Sequence, residues 1–282
     1  LTYAYALTLR FNDKDQELIQ AFLYENEIST FQEGEMAEDA DGNVVLINED
    51  SLIRIFSEER GELENISHAL KNQFPEILSS ISEINSNFND AWKEFSKPII
   101  VSDKILIQPS WLEFEERREI EIILDPGLAF GAGSHETTLL CMRKLEELIA
   151  TNKIDSLLDV GCGSGILSIL GSKLGVKKVT GIDNDEQAIS SSIENANRNE
   201  IHNTEFSTGL LSDLEGTYDL VVANIISSVL DTLMKDIKEK VKPGGILVLS
   251  GLLKDEVEEF KVRHGLEGLE VEELGEWVVV WG

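Results

Sequence analysis

The stretch Leu157-Leu158-Asp159-Val160-Gly161-Cys162-Gly163-Ser164-Gly165-Ile166 reads as a short apolar strand that passes through a glycine turn straight into a helix. Such a turn lets the backbone approach a small bound molecule where a Cβ would collide, and it presents N–H groups at a helix start. The spacing is G-x-G-x-G with an acidic residue before it, not the G-x-G-x-x-G of dinucleotide dehydrogenases. That difference points away from NAD and towards S-adenosylmethionine.

Outward from the turn, apolar runs and amphipathic runs alternate. Strands are predicted at Glu119–Leu124, Ser156–Val160, Lys178–Ile182, Thr204–Ser207, Tyr218–Ala223 and Gly245–Ser250. Helices are predicted at His135–Ala150, Ile166–Leu174, Asp185–Asn199, Ser228–Val241 and Lys254–His264. Alternation of this kind implies a parallel sheet with helices on both faces. The tail differs, with strands at Leu269–Glu273 and Trp277–Trp281 only a few residues apart. A closing hairpin on a parallel sheet is the seven-stranded, Rossmann-like methyltransferase variant of the doubly wound α/β fold.

Residues 1–87 read as a separate small α+β domain of ferredoxin-like order βαββαβ. Its predicted elements are Tyr3–Phe11, a helix over Asp15–Asn26 with Leu18, Ile19, Phe22 and Leu23 on one face, and the strand Ile28–Phe31. An acidic loop, Glu33–Asn43, precedes two short strands, Val44–Ile47 and Ser51–Phe56, separated by Asn48-Glu49-Asp50. A helix over Gly61–Phe74 and a strand over Ile77–Ile84 complete it. Residues 88–118 read as a linker whose Pro98–Gln108 portion is strand-like, and 119–282 as the catalytic domain.

Composition narrows the partners. The formal charge is −29, and residues 1–90 carry 19 acidic against 5 basic side chains, so direct nucleic-acid binding through phosphates is disfavoured. The acidity is either a solvated surface or a field that attracts a basic protein. No apolar run approaches the length that spans a bilayer, and nothing at the start reads as an export signal. Two cysteines, Cys141 and Cys162, are too few for a disulfide framework or a zinc site, and they suit a cytoplasmic, metal-free protein.

In a parallel α/β sheet, ligands bind at the carboxyl ends of the strands, near the point where strand order reverses. Four segments fall there. The first is the turn Gly161–Gly165. Asp183, 18 residues past Gly165, has the offset at which an acidic side chain accepts ribose hydroxyls. Asn224 ends the strand beside the cofactor's reactive end; capping the helix that begins near Ser227 is its alternative role. The loop Asp125–Ser134 with His135 through Thr138 has the composition of a lid, with Phe130 to cover a ligand and Thr137 and Thr138 to hydrogen-bond it. A plain capped loop is the alternative. His135 is read as a positioning residue, since no nucleophile or second ligand stands at motif spacing.

The runs LDPGLAFGAGSHETT, LLDVGCGSGILSI, GIDNDEQAI, VVANII and PGGILVLSGLL, with Trp92, Pro98 and Gln108-Pro109-Ser110-Trp111 upstream, resemble the ribosomal protein L-eleven methyltransferases. The likeness spans residues 88–282 in motifs and residues 1–87 in element order alone. It implies that Thr138, Gly161, Asp183 and Asn224 contact S-adenosylmethionine, with Gly163 and Phe130 beside them. It implies methylation of lysine ε-amines, with the N-terminal α-amine a further candidate, on ribosomal protein L-eleven captured by the first domain. The expected enzyme is a monomer without membrane contact. Two departures stand out: Ala132 replaces a frequent Thr in the lid, and no proline follows Asn224. A methyltransferase for another basic protein or small molecule, and a non-catalytic S-adenosylmethionine-binding protein, are the competing readings.

Overall fold

The computed structural model describes residues 5–12, 15, 18–19, 22–23, 28, 31–38, 44–57, 59–83, 98–110, 112, 117–124 and 135–282. The chain forms two compact units, residues 1–97 and 98–282. Among the described residues no helix is long and apolar enough to cross a membrane.

In the first unit, β1 (Tyr5–Arg10), β2 (Phe31–Glu38), β3 (Val44–Ser57) and β4 (Leu78–Glu83) make an antiparallel sheet in the order β2-β3-β1-β4, with helix α1 (Arg60–Gln73) between β3 and β4. This is the strand order of the ferredoxin-like fold. Alternate residues of β1 and β3 (Leu7, Leu9, Ile53, Ile55) meet Ile19, Phe22, Leu23, Leu63 and Leu70 in one core. The period of two in the strands and the 3–4 spacing in the helices bring these side chains to one side.

Three expectations for this unit change. Phe31–Glu38 is strand, although Glu33–Asn43 reads as loop from its acidity; residues 39–43 lie outside the described set. Pairing with β3 supplies partners for its backbone, which overrides a weak local preference. Val44–Ser57 is one strand, and the polar Asn48-Glu49-Asp50 falls where the β2–β3 register slips, so it marks a bulge rather than a break. Leu18 is 59% exposed and does not join Ile19, Phe22 and Leu23 in the core.

The second unit opens with a three-stranded sheet of β5 (Ile99–Ile100), β6 (Ile105–Gln108) and β7 (Ile120–Ile123). Pro98–Gln108 is therefore a hairpin, turned where the Ser102 hydroxyl accepts the N–H groups of Lys104 and Ile105. β7 pairs in parallel with β6 and stays out of the main sheet, contrary to the expectation for Glu119–Leu124. The Asn199 side chain occupies its edge, accepting from Ile123 N–H at 2.9 Å and donating to Ile123 O at 2.6 Å.

The main sheet contains β8 (Ser156–Val160), β9 (Lys178–Asp183), β10 (Thr204–Thr208), β11 (Tyr218–Asn224), β12 (Val241–Leu253), β13 (Glu270–Leu274) and β14 (Trp277–Trp281). Their order is β10-β9-β8-β11-β12-β14-β13, parallel except for the terminal hairpin. Helices α2 (Glu136–Thr151), α3 (Ile166–Lys173), α4 (Glu186–Arg198), α5 (Ser227–Lys240) and α6 (Val257–His264) complete the unit. α6 starts three residues later than the sequence suggests, because Lys254–Glu256 form a turn. Alternate residues of the same strands feed two cores. Leu157, Leu220, Val222 and Val248 join one, and Leu158, Val221, Ala223 and Leu249 join the other. A sheet buried on both faces explains the unbroken apolar runs. The chain leaves β8 towards β9 and returns to its other side at β11, so the switch point lies between the ends of β8 and β11.

Candidate active site at the switch point

The glycine turn is held from below. Gly161 and Cys162 both donate N–H to Ile182 O, at 2.8 and 3.1 Å, and Gly165 N–H donates to Cys162 O at 2.8 Å. Gly163 N–H donates to the Asp183 carboxylate at 2.9 Å. These four N–H groups are committed within the protein.

Glycine is required there for reasons inside the fold. Gly161, Gly163 and Gly165 have φ of 68°, 52° and 78°, a region costly for residues with a Cβ. A Cβ at Gly161 would lie 2.4 Å from Ile225 Cγ2, and one at Gly165 would lie 2.9 Å from Ser192 Cβ and 3.1 Å from Phe206 Cζ. Phe206 on β10 also lies over Gly181, where a Cβ would stand 2.5 Å from its ring. It is a buttress of the turn that no motif marks.

Asp159, the acid ahead of the turn, does not face a ligand. It is 1% exposed and accepts from Ser168 N–H at 3.1 Å and Ser168 Oγ at 2.7 Å, tying β8 to α3. Burial pushes its carboxyl up to about 7, against the pull of those hydrogen bonds. Asp183, at the end of β9, also accepts Asp185 N–H at 3.1 Å. Burial raises its carboxyl above the usual range, and the backbone N–H groups of Gly163 and Asp185 oppose the rise. The N–H groups fix its orientation next to the turn, and its remaining lone-pair capacity suits a ribose hydroxyl.

Asn224 ends β11 beside the turn, since Ala223 pairs with Val160. Its side-chain Nδ2 donates to Thr138 Oγ1 at 3.3 Å, joining residues 86 apart. The capping alternative does not hold: Ile226 is the N-cap of α5, with no side-chain cap bond. Thr138, 1% exposed, lies in the first turn of α2. His135 caps that helix, its Nδ1 accepting Thr137 N–H at 3.3 Å and lying 2.9 Å from Thr137 Oγ1. Its ring packs edge-on to Trp277 at 5.1 Å, and burial holds its pKa below the ordinary value. Phe130 and the rest of the loop expected to act as a lid, Asp125–Ser134, lie outside the described residues, as do Trp92 and Trp111. Among the described residues no cluster could hold a metal ion.

Thus Gly161, Gly163, Asp183, Asn224 and Thr138 converge on the carboxyl edge of β8, β9 and β11. This sheet order, with its glycine turn at the switch point, defines the Rossmann-like methyltransferase class. The profile of the ribosomal protein L11 methyltransferase family (PrmA) matches residues 5–282, and the chain belongs to that family. Ribosomal protein L11 methyltransferase of Thermoanaerobacter pseudethanolicus is 40% identical over 205 residues, covering 71% of this chain and 66% of its own length. Its counterpart in Alkaliphilus oremlandii is 39% identical over 209 residues, covering 72% and 66%. The match thus spans just under two thirds of the length of these curated relatives. The crystal structure of ribosomal protein L11 methylase from Lactobacillus delbrueckii subsp. bulgaricus superposes with a TM-score of 0.60 at 30% identity, covering 65% of this chain and 96% of that one.

Proposed function

We propose that the protein transfers methyl groups from S-adenosylmethionine to amines of ribosomal protein L11: lysine ε-amines, with the N-terminal α-amine as a further acceptor. The observation that carries this reading is the meeting of Asn224 with Thr138 at the switch point, beside a turn whose acid, Asp183, is already oriented. The residues fit the cofactor: Asp183 would hold the ribose, Gly161 would permit close approach, and Thr138 and Asn224 would flank the methionine end. When bound, the cofactor supplies a sulfonium methyl that an amine takes by in-line displacement.

The protein's own task is to deliver a neutral amine. At a reference pKa near 10.4, deprotonating a lysine at pH 7 costs about 4.6 kcal/mol. Desolvation against the apolar Ile225 and Ile226 lowers that cost. The Asn224 side-chain oxygen, left over when Nδ2 bonds Thr138, accepts from the amine and aims its lone pair. The mechanism needs no dedicated base, and His135 has its Nδ1 engaged at the helix start. The first unit is the substrate-recognition domain in this reading, the lid carrying Phe130 excludes water, and the site of action is the cytoplasm.

Transfer of label from tritiated S-adenosylmethionine into purified ribosomal proteins tests the assignment. Label in L11 alone is expected; label in another protein, or in none, contradicts it. Asn224→Ala should lower the rate by about 100-fold, the scale of losing one positioned polar group, with little change in thermal unfolding. An unchanged rate removes Asn224 from the mechanism.

A further inference from the structure

Gly251 belongs to none of the four predicted site segments, yet the structure sets it against the site. β12 pairs on one side with β11, Asn224 opposite Ser250, and on the other side with β14. The β14 register slips between Ser250 and Leu252, which makes Gly251 the extra residue of a bulge. Its φ is +88°, and a Cβ there would lie 2.1 Å from Ile225 O, 2.5 Å from Ile225 C and 3.1 Å from Ile226 N. These are backbone atoms, which cannot turn aside as a side chain can. Ile225 N–H donates to Ser250 O at 3.2 Å. Ser250 is fully buried, its hydroxyl donating to Val278 O at 2.7 Å.

On the opposite side, the Ile225 side chain fills the space a Cβ of Gly161 would need. Ile225 is therefore gripped between two left-handed glycines, its side chain against Gly161 of the cofactor turn and its peptide to Ile226 against Gly251 of the bulge. The residue before it, Asn224, bonds Thr138.

We infer that Gly251, through the bulge it permits, is a positioning residue for Asn224 and so for the methyl-transfer end of the site. Filling the bulge pushes the Ile225 carbonyl outward, rotates the preceding peptide and takes Asn224 out of line with Thr138. This inference rests on the reading of Asn224 under the proposed function, but it can be read without turnover.

The test is a double-mutant cycle on the full chain, with S-adenosylhomocysteine affinity measured by calorimetry. Asn224→Ala and Gly251→Ala should each weaken binding about tenfold, and the double variant should be no weaker than either alone, because coupled sites do not add. Multiplying losses in a folded double variant, or a Gly251→Ala protein that binds like wild type, would overturn the inference. Should Gly251→Ala fail to fold by circular dichroism, Ile225→Ala loosens the same grip from the Gly161 side. It should show the same non-additivity with Asn224→Ala, and multiplying losses there count against the inference equally. A wild-type chain that binds S-adenosylhomocysteine but labels no L11 defeats the substrate assignment and leaves the cycle readable. A wild-type chain that does not bind it at all defeats both.

Discussion

Ile225 explains why position 161 is glycine. Its Cγ2 stands where an alanine Cβ would go, and the left-handed φ adds a backbone penalty of about 1–2 kcal/mol. Gly161→Ala should therefore lose S-adenosylhomocysteine affinity by well over about tenfold, the scale of an overpacked site. Adding Ile225→Ala should recover part of it, the strained φ keeping the recovery incomplete. No recovery in calorimetry would mean the clash is not the cause. Asp159 makes a second prediction. Its carboxyl titrates near 7 when folded and near 3.9 when unfolded, so between those values the folded state binds the extra proton. Stability is then fully present below the unfolded value and falls as pH rises through the folded one, by on the order of 4 kcal/mol in all. Urea unfolding should find Asp159→Asn gaining on wild type between pH 5 and pH 8, and parallel profiles would refute it. The acid ahead of the turn was legible as part of a motif. Its role was not, because only the packing of α3 shows that Ser168 is its partner.

At the scale of elements, the amino ends of the strands are pinned as firmly as the carboxyl ends are shaped. Asp219 at the start of β11 accepts Asp155 N–H, Ser156 N–H and Ser156 Oγ at 3.1, 2.8 and 2.8 Å, and pairs with Lys242 of β12 at 2.8 Å. One carboxylate thus registers β8, β11 and β12, the strands whose far ends form the site. Burial alone would raise its pKa, but Lys242 and Ser156 hold it below the usual carboxylate range. Its contribution is therefore present above the unfolded value and lost as pH falls through the folded one. Asp219→Ala should destabilise the protein by about 2 kcal/mol, since it strands partly buried donors at the start of β8. The deficit should shrink in acid, as followed by thermal unfolding at pH 7 and pH 3.5. Strands buried on both faces were readable as apolar runs, which is why β8, β9 and β11 were placed almost to the residue. β2 and the middle of β3 were not, since their polar stretches become strand through pairing alone.

Among the described residues, each unit has a buried cluster of its own, around Leu7 and Ile53 in residues 1–97 and around β8 and β11 in residues 98–282. Every described candidate site residue lies in the second. A chain of residues 98–282 should therefore bind S-adenosylhomocysteine like the full protein yet fail to methylate L11, if the first unit captures the substrate. Retained methylation by this fragment in the tritium assay would remove that role.

The sequence alone determined the alternation of strands and helices from β8 to β14, the glycine turn, and the placing of Asp183 and Asn224, because each rests on local periodicity or on a residue ending an apolar strand. It also carried the family likeness. Only the tertiary structure decided that β7 leaves the main sheet, that Asn224 meets Thr138, and that Gly161 and Gly251 grip Ile225. Those outcomes depend on contacts between segments distant along the chain, and no local pattern of residue types encodes which backbone atoms will arrive opposite a missing Cβ.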